Sequence, residues 1–423
     1  MLKIKNNPHL KSDFLKNVFT LLSGATVAQI ITLISIPILT RIYTPEDFGH
    51  IAIYLSIANI VAAFSTGRYE LAIMLPKKRT EALAIFKGSF RIAFIISLIS
   101  LIAIILLKSF DHKFSSFIEP FYFYFLPLSI FIVGLGNLFF QWYTREKQFK
   151  IQANLKIIKS GSSSGVNVFL GLLYNLKSLG LFFGHIAGQG IQQIIFGLRF
   201  YKEEKNNLKI VDANLVKEQL KLNNNFPRFS APMAFLNAIS KDVLIYVFKM
   251  FFSTSLVGQY SNATKVISYP LELINQSFMT VFYQKINETN KKLRFYLISY
   301  FGNFIIATIV MIPIVFWGEE LFVFVLGNDW EIAGSIAKYM APLTVASFAM
   351  RSVSNIFSLT RKNGILLIWQ ICYLVLILIT IFISKSTNFD VMLLYFSLVG
   401  AFLYIALAFM GYRIMKKTYE KPS

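Results

Sequence analysis

Apolar residues gather in twelve long runs along the chain, at approximately 15–40, 48–75, 82–107, 120–143, 153–174, 179–201, 227–252, 257–282, 294–316, 332–358, 364–384 and 391–412. Each reaches about 20 residues, the length that crosses ~30 Å of hydrocarbon as a helix. The pattern predicts an all-α membrane protein of about twelve transmembrane helices. Composition agrees: 55% of the 423 residues are hydrophobic and only 15% are charged, where soluble proteins carry about 25%. The basic start (Lys3, Lys5, Lys11, Lys16) precedes an apolar stretch from Val18 to Leu39. That stretch is too long for a signal h-region and is expected to stay as the first span. The single cysteine, Cys372, excludes an intramolecular disulfide framework; it lies in an apolar run and reads as a small core residue.

Charge adds topology. With the first tail inside, the inner segments hold 25 Lys and Arg and the outer loops hold 5 (Arg41, Lys108, Lys113, Lys177, Lys385). By the positive-inside rule both termini are cytoplasmic. The net charge of +21 belongs mostly to this bias, and without a compact basic domain it gives no reason to expect nucleic acid.

The other 12 Lys and Arg fall within the spans, against three acids, Glu70, Asp242 and Glu272. Arg199, Arg228 and Lys249 lie near helix ends and read as snorkelling anchors, as do Lys156 and Lys159 at a helix start. Deeper ionisable residues are costly in lipid and mark a pathway. At 1.5 Å per residue, Arg68 and Glu70 lie roughly 9–13 Å from the Pro76–Arg79 turn, and Lys87 and Arg91 roughly 12–18 Å beyond it. Glu70 and Lys87 are therefore expected to pair. Lys241 and Asp242 fall near the midplane. Lys265 and Glu272 share one helix face, and Arg351 lies about 13 Å from its cytoplasmic end. The candidate substrate-binding residues are Arg68, Lys87, Arg91, Lys241, Lys265 and Arg351. Glu70, Asp242 and Glu272 are the candidates for charge balance or for coupling to protons or sodium.

Two halves look related. Asn17 to Gly49 and Asn225 to Gly258 are spaced by 32 and 33 residues, and Pro127 to Arg145 and Pro342 to Arg361 by 18 and 19. Six helices return the chain to the same side, so the repeat is parallel, about an axis along the membrane normal. The expected organisation is a six-helix bundle over 1–201, a cytoplasmic loop and linker over 202–226, and a second bundle over 227–423. Pro37, Pro127, Pro232, Pro270, Pro313, Pro342 and the run Ser160–Gly165 fall within spans as candidate hinges. Gly184 and Gly188 form a small-xxx-small packing signal. Trp142 and Tyr143 read as core or belt aromatics, with sugar stacking the lesser reading.

The segments SGATVAQIITLISIPILTRIYTPEDFG (23–49) and TGRYELAIMLPKK (66–78) resemble the N-terminal signature of Wzx-type O-antigen and polysaccharide flippases. These belong to the multidrug/oligosaccharidyl-lipid/polysaccharide exporter (MOP) superfamily. The C-terminal half is similar only in general character, including LFVFVLGNDW (321–330). The resemblance implies a MATE-like pair of pseudo-symmetric six-helix bundles in the bacterial inner membrane. It also implies translocation of an undecaprenyl-pyrophosphate-linked oligosaccharide for O-antigen or capsular polysaccharide, with polysaccharide polymerase or glycosyltransferase partners.

A cationic cleft suits that cargo, because a pyrophosphate head is costly to drag through hydrocarbon and Arg binds phosphate bidentately. On this reading, neutralising Arg91 or Lys241 is expected to abolish surface polysaccharide. A drug antiporter of the same superfamily would want acids in its cleft, and a polysaccharide polymerase would want a long extracytoplasmic loop. The chain has no GxxxxGK[ST] motif for ATP. Its four histidines (His9, His50, His112, His185) show no metal spacing, and no cofactor is expected.

Overall fold

The computed structural model describes residues 8–110, 120–289, 292–360, 362–385 and 387–419. These residues form helices and turns, with no strand among them. In chain order the helices are α1 (Pro8–Ile42), α2 (Pro45–Ala62), α3 (Arg79–Phe110), α4 (Pro120–Phe123), α5 (Leu126–Arg145), α6 (Phe149–Tyr174), α7 (Lys177–Ile210) and α8 (Ala213–Leu222). There follow α9 (Ala231–Phe251), α10 (Thr254–Glu288), α11 (Lys292–Leu326), α12 (Glu331–Tyr339), α13 (Ala341–Val353), α14 (Ile356–Leu359), α15 (Asn363–Ser384) and α16 (Phe389–Tyr419). Among the described residues, seven helical stretches are long and apolar enough to cross a membrane, on α1, α3, α5, α9, α11, α15 and α16. Helices α2, α6, α7 and α10 fall outside that group; α6, α7 and α10 carry the polar residues considered below.

The chain divides into two compact units, 1–43 with 50–246, and 44–49 with 247–423. In the first unit, α6 packs along α1 and α7. Small residues permit the close approach: a Cβ on Gly188 would lie 2.7 Å from the Lys159 carbonyl oxygen, and Gly184 faces the Asn167 side chain. The Gly184–Gly188 pair thus serves packing. Tyr43 closes α1 onto α6 by donating to the Asn167 carbonyl at 2.7 Å.

The expected span 48–75 is not one helix. α2 stops at Ala62, and Gly67 (φ 62°) and Arg68 (φ 59°) both adopt left-handed backbone before a 3-10 turn at Tyr69–Met74. Glycine takes that conformation freely, whereas arginine does so under strain. The turn joins an aromatic core with Leu83, Phe86, Phe139, Trp142, Tyr143, Phe196, Phe200, Val211 and Val216. Trp142 and Tyr143 are fully buried here, which settles them as core. Arg145 donates to the carbonyls of Ile73 (2.8 Å) and Lys77 (3.4 Å). Arg79 joins the buried Glu204 and lies 3.2 Å from Glu146, tying the starts and ends of three helices together.

The stretch 202–226, expected as a loop, is largely helical. It continues α7 and then forms α8, capped where the Asp212 carboxylate accepts from Leu215 N at 2.9 Å. α8 lies against the first turns of α3, with Leu220 at Gly88. Its apolar positions, Val216 among them, face that helix while Lys217, Glu218 and Lys221 stay exposed.

In the second unit, two helix starts meet. Thr44 and Asp47 form a capping box: the Asp47 carboxylate accepts from Thr44 N and Oγ1, and Thr44 Oγ1 accepts from Asp47 N. Pro45, at the first helical position, is preset for the turn. α10 starts likewise, with Ser253 Oγ accepting from Leu256 N at 3.2 Å. Five residues beyond each cap stands a glycine, and these two touch: a Cβ on Gly258 would fall on the Pro45 carbonyl and lie 2.9 Å from Gly49 N. Phe48 then packs edge-on against the fully buried Trp330 at 5.3 Å between centroids. Pro127, Pro232 and Pro342 stand at helix starts, while Pro37, Pro270 and Pro313 lie inside helices. The Ser160–Gly165 run is helical throughout, and α11 kinks at Trp317, four residues after Pro313. Cys372 is exposed rather than packed in the core, because α15 turns that face outward beside Ile368, Ile371 and Val375.

Candidate functional site

The nine ionisable residues singled out above divide between the units. Arg68, Glu70, Lys87, Arg91, Lys241 and Asp242 fall in the first, and Lys265, Glu272 and Arg351 in the second. Arg68 and Glu70 pair at 3.2 Å, with Glu70 only 2% exposed and also accepting from Thr66. Glu70 is therefore taken, and the expected pair with Lys87 does not form. Lys87 instead donates to the Val211 carbonyl at 2.9 Å. An apolar band that began at the Pro76–Arg79 turn would have put Lys87 deep beside Glu70. The first turns of α3 are covered by α8, so Lys87 stands at the level of that polar layer. Arg91, one turn on, is exposed on the face that also carries Phe94, Ile95 and Leu98.

Lys241 is exposed on α9 beside Asp242, which lies close to Ser56 of α2. Ser56 Oγ is also 2.7 Å from the Tyr246 hydroxyl. In the second unit Glu272 and Arg351 are exposed, and Arg351 donates to the Tyr404 hydroxyl.

Lys265 differs from these. It is drawn into α10 with its Nζ 5.8 Å from the centre of the Phe48 ring, and among the described residues no carboxylate lies within ion-pair distance of it. One turn earlier on the same face, Asn262 is fully buried and neither its oxygen nor its nitrogen has a hydrogen-bond partner among the described residues. Buried amides are nearly always satisfied. An orphaned Asn beside a Lys without a carboxylate partner offers donors that acceptor oxygens would satisfy. Sequence reasoning found Lys265 from its charge but passed over Asn262, since an amide in an apolar run is unremarkable until its surroundings are known.

The first unit has a counterpart. Lys156 and Lys159 on α6 are half-buried and close enough to repel each other. The Lys156 Nζ lies 5.3 Å over the Phe140 ring, and neither lysine has a carboxylate within ion-pair distance among the described residues. Serines follow on the same helix, Ser164 donating to Ser35 of α1 at 3.0 Å. From sequence these two are expected to be interfacial anchors. Both are set among α5, α6 and α7, half-buried rather than on an outward face.

Polysaccharide biosynthesis proteins match this chain as a family over residues 14–283, well over half its length. The chain belongs to that family. No curated protein matches it in sequence. Among solved structures, this polysaccharide biosynthesis protein is similar in fold to a MOP-superfamily transporter of Pyrococcus furiosus at 14% identity, with a TM-score of 0.55 over 97% of each chain. A multidrug-resistance MATE transporter in its outward-facing conformation gives 0.56 at 11% identity over 96% of each chain. A single-residue variant of a Vibrio cholerae MATE transporter gives 0.54 at 12% identity, covering 98% of this chain and 99% of its own. The fold of this polysaccharide biosynthesis protein is thus the all-α fold of those MATE structures.

Proposed function

We propose that this chain is a flippase that carries an undecaprenyl-pyrophosphate-linked oligosaccharide across the bacterial inner membrane. The observation that carries the reading is buried positive charge with no carboxylate partner among the described residues: Lys156 and Lys159 in one unit, Lys265 beside the orphaned Asn262 in the other. A cation held in a low-dielectric interior without a partner is costly. A pyrophosphate head offsets that cost by supplying both the countercharge and the missing acceptors. Membership in the polysaccharide biosynthesis family supports a glycan cargo, and the MATE fold supports alternating access between two related halves, 1–201 and 227–423.

In this mechanism the sugars travel in a wet cleft while the polyprenyl tail stays in lipid. Both termini are cytoplasmic, consistent with the Lys and Arg bias. Asp242, close to Ser56, is the acid that couples transport to protons or sodium, and Glu70 and Glu272 balance charge. The remaining sequence candidates (Arg68, Lys87, Arg91, Lys241 and Arg351) supply positive potential along the route, and polymerase or glycosyltransferase partners act before and after translocation.

The test is complementation of a flippase-deficient strain. The chain is expected to restore surface polysaccharide and clear the accumulated lipid-linked oligosaccharide, while Lys159→Gln and Lys265→Gln do neither at equal membrane abundance. Restoration by both variants removes the interior cations from the mechanism.

A further inference from the structure

The signature TGRYE (66–70) is not absorbed by the interior sites, and its geometry is unusual. Gly67 and Arg68 are two successive left-handed residues, and the next residue, Tyr69, donates to the Leu220 carbonyl of α8 at 3.1 Å. For Arg68, unlike Gly67, that backbone costs about 1–3 kcal/mol and persists where the surroundings impose it. Here the imposing group is Glu70, fastened by Thr66 and paired with Arg68 through Nη1 alone. The Arg68 Nε is buried and has no partner among the described residues. A guanidinium presents its donors as a fork that two acceptor oxygens fill, and Glu70 fills only part of it.

A second distorted segment adjoins. The chain from Phe226 to Ser230 forms a π-turn, a rare geometry often found at functional sites, and it packs against the 3-10 turn at Tyr69–Met74. Arg228 in that π-turn is exposed and within electrostatic reach of Tyr69, the residue next to Arg68. Beside it Phe229 is 71% exposed, and Leu222 is exposed nearby in sequence at 66%. Strong donors therefore stand next to bare apolar side chains, at the level where α3 passes from its α8 cover to its apolar face. Of phosphate-bearing molecules, one with a hydrocarbon tail fits this pairing.

We propose that Arg68 and Arg228 form a capture site for the phosphate head of a polyprenyl lipid at the membrane surface, with Glu70 as the internal occupant that the phosphate displaces. The proposal rests on the flippase reading and adds the first station of the route, distinct from the interior cations. Glu70 keeps Arg68 paired when no lipid is bound and competes with every anion that arrives. Removing the competitor and removing the receptor therefore have opposite effects.

The experiment measures binding of sugar-free undecaprenyl pyrophosphate to the full chain in neutral phosphatidylcholine nanodiscs. Arg68→Lys and Arg228→Gln are each expected to weaken binding about tenfold, the lower end for a charge-assisted hydrogen bond. Glu70→Gln retains the Thr66 hydrogen bond and is expected to strengthen binding about threefold. Lys202→Gln, exposed on α7, serves as the control and leaves it unchanged. Melting curves verify that each variant is folded, and Arg228→Gln, at an exposed position, carries the test if Arg68→Lys fails to fold. Weakening by Glu70→Gln in step with Arg68→Lys would make the pair structural and overturn the proposal. Equal competition by phosphatidylglycerol or by inorganic pyrophosphate would overturn it too, assigning the site to general lipid charge or to free phosphate. Wild-type binding that neither arginine variant alters removes this site and leaves the flippase reading standing. No wild-type binding removes both.

Discussion

The contact between Gly258 and the start of α2 allows a sharp mutational test. In Gly258→Ala the new methyl falls on the Pro45 carbonyl oxygen and 2.9 Å from Gly49 N. Overpacking in a well-ordered interior typically costs about 1–3 kcal/mol, with flexible side chains absorbing part of it. Here the neighbours are backbone atoms of a capped helix start, held by Thr44, Asp47 and Pro45. The cost should reach the top of that range, about 3 kcal/mol. For a unit of this size that is a fall of about 6–12 °C in apparent melting temperature. The matched control is Gly302→Ala on α11, where nothing lies within 4 Å of the added Cβ. There the better helix propensity of Ala should hold or raise stability, by up to about 1 kcal/mol. Both variants are read by thermal unfolding of the purified protein in detergent. Equal melting of Gly258→Ala and wild type would refute the packing argument, and so would a comparable fall in both variants.

Two further outcomes follow from unpaired and paired charge. Lys265→Met removes a cation that has no carboxylate within ion-pair distance among the described residues. It is expected to stabilise the protein by about 1–2 kcal/mol while abolishing polysaccharide export; a loss of stability would show that the lysine is satisfied. Glu204→Gln leaves Arg79 without its buried partner. Its expected cost is about 1–3 kcal/mol, and tryptophan emission should also change because the Arg79 guanidinium lies 5.8 Å over the Trp142 ring.

The apolar runs made the helices legible, because about 20 apolar residues have few other uses. They hid the break after Ala62, since Phe64, Leu71, Ile73 and Met74 are as apolar as any spanning residue. The cue was Gly67 beside charged residues, and only burial against Trp142 and Val211 explains why an apolar run need not cross the bilayer. The same gap misled the Glu70–Lys87 pairing, which required two straight helices joined at Pro76. Lys265 was readable from charge alone. Proximity to a helix start makes Lys156 and Lys159 look like anchors, and only the packing of α5 and α7 shows that both are half-buried without a carboxylate partner among the described residues. The repeat spacing of Gly49 and Gly258 was visible as a number, while their mutual contact was not.

The capped turn from Thr44 to Gly49 belongs to the second unit although the rest of α2 belongs to the first. A short piece of the opening third of the polypeptide therefore completes the packing of a body synthesised some two hundred residues later. A fragment beginning after α8 would lack it, and the backbone around Gly258 would be left bare. If the gene arose by doubling a six-helix ancestor, its two copies no longer come apart at the seam.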